Sequence, residues 1–266
     1  MRRTLPLVAA LVALALTACG SSSGATTTSG SPASSSSSSS SAATGAITVF
    51  AASSLKESFS AIGAAFEAAN PGTKVTFNFG ASSTLATQIT QKAPADVFAS
   101  ASQKTMDTVT SAGAATGDTE FAVNTMEIAT PAMPTVPVTS LADLAKPGVK
   151  VVICQKDVPC GAAAQKLFTQ NNLTVTPVSQ EVDVKAVLSK VVLGEADAGI
   201  VYVTDVKAAG AKVAGVVIPK DQNVTTTYPI APIASSTNAV TAKAFVDFVL
   251  SPAGQTVLAA AGFTSP

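Results

Sequence analysis

The stretch 47-ITVFAASSLKESFSAIGAAF-66 decides how the rest of the chain is read. An apolar run, ITVFAA, stops at two serines and passes directly into Leu55, Phe59, Ile62 and Phe66, spaced four, three and four residues apart. The first half predicts a strand and the second an amphipathic helix. The junction holds no glycine loop, histidine or acidic cluster, so chemistry there falls to hydroxyls and backbone N–H groups. Ser54-Leu55-Lys56-Glu57 also has the form of a capping box, with the Ser54 hydroxyl on an amide of the first turn and Glu57 reaching back to the cap.

The same grammar recurs along the chain. KVTFNF (74–79) leads to Gly80-Ala81-Ser82-Ser83 and a helix through Leu85 and Ile89, and VKVVIC (149–154) leads to Pro159-Cys160-Gly161 and the helix AAAQKLF. Asp183 predicts the N-cap of a helix starting at Val184, with Val187, Leu188, Val191 and Val192 on its buried side and Gly194 at its end. DVFAS (96–100), MEIAT (126–130), DAGIVYV (197–203) and VAGVVI (213–218) read as further strands. A late strand, 225–233, precedes a closing helix, 241–263. The alternation predicts βαβ units and a largely parallel sheet with helices on both faces. The proline-rich segment 131–148 reads as an irregular connection near the start of a second lobe, and the late strand and helix as a return to the first. Two crossings make a hinge, and a cleft between lobes is where small ligands bind.

Each helix start presents unpaired N–H groups and the positive end of a dipole. Four starts converging on one point would bind an anion without Lys or Arg. Any single start, taken alone, is read first as an ordinary cap.

Composition narrows the function classes. Lys plus Arg equals Asp plus Glu at 16 each, charged residues are 12% and no basic run occurs, which argues against nucleic acid as a partner. With no histidine there is no Ser-His-Asp or Cys-His nucleophile, no imidazole base and no His-rich metal site. An enzyme with Ser54 or Ser82 as nucleophile would need lysine activation, and Lys56 does not face back toward Ser54 on a helix.

The segment MRRTLPLVAALVALALTAC reads as a secretory signal over residues 1–18, and Leu16-Thr17-Ala18-Cys19 resembles the bacterial lipobox, which makes Cys19 a lipidated N-terminus. The alternative is an ordinary signal peptide containing a cysteine. Residues 19–45, dominated by Ser, Thr, Gly and Ala, form a tether, because they cannot bury enough apolar surface to fold. With Cys19 lipidated, Cys154 and Cys160 remain, six apart in an exported chain: a short bridged loop, or two unpaired thiols.

Read together, ITVFAASSL, FGASSTLATQI, APADVFASAS, VPCGAAAQKL, EVDVKAVLSKV and AGIVYVTD resemble, in order, the successive motifs of the molybdate-binding proteins of bacterial ABC transporters. The resemblance runs from Ile47 to Phe263. It implies an α/β, two-lobed type II periplasmic-binding-protein fold, with mixed sheets covered by helices and a ligand cleft at the hinge. Lobe 1 is expected to comprise 46–124 plus 228–266, and lobe 2 residues 125–227. The family's ligand contacts fall on the hydroxyls of Ser54 and Ser82, the backbone N–H groups of Cys160 and Val184, and the hydroxyl of Tyr202. Many relatives have Ala where this chain has Cys160; a main-chain contact survives that change, and a disulfide would pin the turn. Tyr202 is otherwise read as a core aromatic, and Tyr228 as hinge or packing. Ser53 and Ser83 leave the register of each serine pair open.

The function implied is capture of molybdate, and of tungstate, by a monomer lipid-anchored to the outer face of the plasma membrane, and delivery to an ABC permease. No cofactor is expected, and molybdenum enters only as the oxyanion, without direct protein ligands. A donor-only site suits a bare dianion, whereas hydrogen phosphate wants an acceptor and sulfate must be excluded by size. The alternatives are a protein of the same fold for another oxyanion such as sulfate, and a purely structural envelope lipoprotein.

Overall fold

The computed structural model describes residues 43–266. The signal segment 1–18, the lipidation site Cys19 and nearly all of the 19–45 tether lie outside the described residues. The chain begins with β1 (Gly45–Ala52), a 3-10 turn at Ser53–Leu55 and α1 (Lys56–Ala69), then β2 (Thr73–Gly80), α2 (Ser82–Thr90), β3 (Val97–Ala99) and α3 (Gln103–Ser111). After β4 (Thr119–Pro131) come a 3-10 turn at Leu141–Ala145, β5 (Val151–Cys154), α4 (Pro159–Gln170), β6 (Ser179–Glu181) and α5 (Val184–Val192). β7 (Ala198–Tyr202), α6 (Val203–Ala209), β8 (Val213–Val217), β9 (Thr225–Pro232), α7 (Ala239–Leu250) and α8 (Pro252–Ala261) complete the fold.

The strands form one curled path, β2-β1-β3-β9-β4-β7-β5-β6, with β8 also on β4. Parallel pairing is confined to β1 with β2 and β3, and to β5 with β6 and β7. The largely parallel sheet expected from the alternation is therefore corrected to a mixed one. β9 returns from late in the chain and inserts antiparallel between β3 and β4, while β4 pairs antiparallel with β7 and β8 as well. β4 is thirteen residues long and serves both ends of the path: Thr119–Thr125 pair with β9, and Met126 onward with β7 and β8. At the changeover the Asn223 side chain accepts the Met126 amide at 3.1 Å and donates to the Met126 carbonyl at 2.8 Å, filling the place of a strand partner.

Buried side chains sort along the same line. One core gathers Met126–Val224 residues around Val152, Leu167, Val187 and Ile200, joined by Ala81. Two others use residues before Thr125 and after Thr227: one is built on Phe59, Phe66, Phe121 and Phe245, the other on Phe98 and Met106. Phe59, Phe121 and Phe245 meet edge-on or tilted at 5.6 to 6.1 Å between ring centroids, and each buried Phe contributes roughly 1.5–3 kcal/mol through its lost apolar surface. The α1 residues that face this core are those picked out by their spacing.

Three local expectations change. The closing helix is two helices bent by 59° at Ser251-Pro252, where proline starts α8 and Ser251 caps it. Val192 is 39% exposed, outside the buried face of α5 formed by Val184, Val187 and Val191. The Ser54–Glu57 capping box does not form, because the chain enters α1 through a 3-10 turn with no side-chain cap.

Candidate functional site

β1 and β2 each deliver the chain from a C-terminal strand end into a helix start on one side, and the start of α4 after β5, the start of α5 and the end of β7 approach from the other core. Together they line a small pocket bordered by Ser53, Ser54, Ser82, Cys160, Val184 and Tyr202, with Asp183 the one charged residue in its wall. The structure thus brings Ser54, Ser82, Cys160, Val184 and Tyr202 to one place. Lys56 is exposed and does not line the cavity.

The backbone donors here are left open by the sequence. Ala81 stands at the N-cap of α2 and Val158 at that of α4, neither able to cap with a side chain, and Ala52 precedes the 3-10 turn in the same way. The first amides of each start therefore keep their hydrogens for another acceptor. In α4, Gly161 and Ala162 donate to the Val158 carbonyl, and Cys160, at the second helical position, has no intrahelical acceptor. In α5 the Asp183 Oδ1 accepts from Lys185 and Ala186 at 2.8 and 3.0 Å, satisfying the second and third amides but leaving Val184 first in line toward the cavity.

The Cys154–Cys160 disulfide is formed and ties the end of β5 to the first turn of α4. Gly161 is required there by close approach, since a Cβ would lie 1.9 Å from the Gln155 carbonyl oxygen.

The hydroxyls are oriented by groups behind them. Ser82 Oγ accepts the Ala101 amide at 3.0 Å, and Ser54 Oγ lies 2.9 Å from the Tyr228 hydroxyl. If Tyr228 donates, both serines have a lone pair filled from the protein side and a proton to direct at a ligand. Tyr202 is 1% exposed, packs edge-on against Tyr228 with centroids 6.0 Å apart, and its hydroxyl has no partner among the described residues. Burial pushes both phenols above their ordinary range, so both stay protonated and able to donate. A buried hydroxyl without a partner is costly unless something else accepts from it.

One cation stands just behind this wall. Lys185 Nζ reaches Glu57 Oε2 at 2.7 Å and Asp205 Oδ1 at 2.9 Å. Asp205 is fully buried and its Oδ2 accepts the Tyr202 amide at 3.1 Å. Burial raises the Asp205 carboxyl while Lys185 opposes that shift.

The sequence profile of the bacterial extracellular solute-binding proteins matches residues 47–264. The chain belongs to this family. This solute-binding protein is 43% identical over 261 residues to the molybdate-binding protein ModA of Mycobacterium tuberculosis, covering 98% of this chain and 97% of that one. Among solved structures, the periplasmic molybdate-binding protein of Azotobacter vinelandii superposes with a TM-score of 0.74 at 21% identity, over 83% of this chain and 99% of that one. The sulfate-binding protein SubI of M. tuberculosis does so with 0.71 at 21%, over 83% and 86%. These two likenesses establish the two-lobed type II periplasmic-binding fold and leave the anion open. The solute-binding protein works outside the cytoplasm and is not an enzyme.

Three contributors to the site were not read from the sequence: the Tyr228 hydroxyl, the Ala101 amide and the Lys185 network. No local signal marks Tyr228, whose contact spans 174 residues. Glu57 carried a signal that pointed elsewhere, to a capping box.

Proposed function

We propose that this protein captures molybdate, and also tungstate, and delivers it to an ABC permease. The observation that carries the reading is a cavity whose wall offers hydrogen-bond donors without Lys or Arg, with a buried Tyr202 hydroxyl lacking a protein partner. In this reading Ser54, Ser82 and Tyr202 donate O–H, and Cys160 and Val184 donate N–H, to the four oxygens of a bare dianion. Asp183 is the one carboxylate in the wall, and two amides of α5 already occupy its Oδ1. The relative that is 43% identical and named for molybdate supports the choice of ligand.

Residues 46–124 with 228–266, and residues 125–227, act as the two lobes, closing about β4 and β9. Cys19 carries the lipid that holds a monomer at the outer face of the plasma membrane, with the Ser-rich tether giving it reach. Calorimetric titration with molybdate, tungstate, sulfate and phosphate tests the reading. Saturable binding of the first two supports it; preference for sulfate or phosphate assigns the fold to another oxyanion, and no binding of any of the four removes it.

A further inference from the structure

We infer that Glu57, Lys185 and Asp205 form a latch that couples the ligand-presenting turns to one another and sets how long the cleft stays shut. The argument begins with position. Glu57 lies three residues after Ser54, Lys185 follows Val184 directly, and Asp205 lies three residues after Tyr202. Each member of the network therefore sits in the first turn of the helix whose start lines the cavity, on α1, α5 and α6. Lys185 Nζ alone joins the three, at 2.7 Å from Glu57 and 2.9 Å from Asp205.

The two arms differ in kind. Asp205 is fully buried and its other oxygen holds the Tyr202 amide, so the Lys185–Asp205 arm is a fixed part of the half that carries α5 and β7. Without Lys185 a carboxylate would stand uncompensated beside an anion site, raising the cost of both folding and binding. Glu57 is half-exposed and belongs to α1, whose core is the other one. The Glu57 arm therefore spans the cleft, and separation of the halves breaks it while leaving the Asp205 arm intact. An arm present in the closed form alone slows opening and leaves the encounter with ligand unchanged.

This inference rests on the proposed oxyanion function for its ligand, and the experiment separates the two. Molybdate binding is followed by stopped-flow tyrosine fluorescence, since the chain has two tyrosines and no tryptophan and Tyr202 lines the cavity. In E57Q the dissociation rate rises roughly two- to fivefold, the range of a partly exposed ion pair, with the association rate unchanged. Small-angle scattering of ligand-free E57Q shows a larger radius of gyration than wild type. K185M loses thermal stability, and K185M/D205N recovers it while keeping the faster dissociation of E57Q. Wild-type dissociation rates and dimensions in E57Q and K185M/D205N overturn the latch. If wild type itself fails to bind molybdate, the oxyanion reading falls, and the scattering comparison still decides the latch.

Discussion

Tyr228, on β9, places its hydroxyl 2.9 Å from Ser54 Oγ at the end of β1, so a fully buried phenol from late in the chain backs the first serine of the cavity. The phenol stays protonated, and with Tyr228 as the donor of this pair its proton holds the Ser54 hydroxyl toward the cavity. Y228F therefore weakens molybdate binding by roughly two- to tenfold, the worth of one neutral hydrogen bond, without contact between Tyr228 and ligand. Isothermal titration checks it; unchanged affinity removes Tyr228 from the site.

Direct donors cost more. S54A and S82A each lower affinity roughly ten- to a hundredfold, because a hydrogen bond to a desolvated dianion is worth about 1.5–3 kcal/mol. Y202F loses a similar amount but differs in the ligand-free protein. Its hydroxyl has no partner to lose there, so its ligand-free melting temperature equals or exceeds wild type. A large drop in that temperature would show that Tyr202 Oη is satisfied in the protein itself.

Thermal shifts at fixed ionic strength follow the order molybdate and tungstate, then sulfate, then phosphate. Saturation at a thousandfold over Kd contributes about 4 kcal/mol for a ligand bound only by the folded form. Sulfate is too small to reach every donor, and hydrogen phosphate carries a proton that wants an acceptor. Equal stabilisation by phosphate refutes the donor-only argument.

The Cys154–Cys160 bridge closes a loop with a sequence separation of six, which by loop-closure entropy stabilises the protein by about 2 kcal/mol. C154S/C160S lowers the melting temperature by about 4–8 °C for a domain of this size. It also weakens molybdate binding, since the bridge holds the turn that presents the Cys160 amide. Full affinity in the double variant confines the bridge to stability.

Glu127, on β4, is buried without an ion-pair partner among the described residues, and burial holds its carboxyl above the ordinary 4.5. Well below that value the group is neutral in both the folded and the unfolded chain and costs nothing. As pH rises past 4.5 the unfolded chain ionises first, so stability falls until the folded group ionises too. E127Q removes that loss: it melts higher than wild type at pH 7 and no higher at pH 4. Parallel melting curves across this range contradict the assignment.

Most strands and the amphipathic face of α1 were legible because Val, Ile and Phe runs and a spacing of three and four are local properties, although of β4 only 126–130 was read and not the Thr119–Thr125 half that pairs with β9. β6 was not, since Ser179-Gln180-Glu181 has no apolar pattern and is a strand only through its pairing with β5. The insertion of β9 between β3 and β4 depends on partners far apart in sequence, which periodicity does not encode. Ser54-Leu55-Lys56-Glu57 shows the converse error. The pattern matches a capping box residue for residue, yet Glu57 pairs with Lys185, 128 residues away. The break between α7 and α8 was available in Ser251-Pro252, a residue pair that ends one helix and starts another. The cavity residues were reached through family motifs, whereas the groups that aim them came from distant segments.

β4 belongs to both ends of the sheet, and Asn223 braces it where its partners change between Thr125 and Met126. A strand that is continuous through such a point transmits rotation as torsion, because its ladder resists stretching and sliding but accommodates changes of twist. On the proposed closure of the two lobes, the halves act as two plates mounted on a torsion bar, with Asn223 as the collar. Closure of that kind would bring the same four helix starts back to one point, so the donors would need no fresh search for their geometry each time an anion arrives.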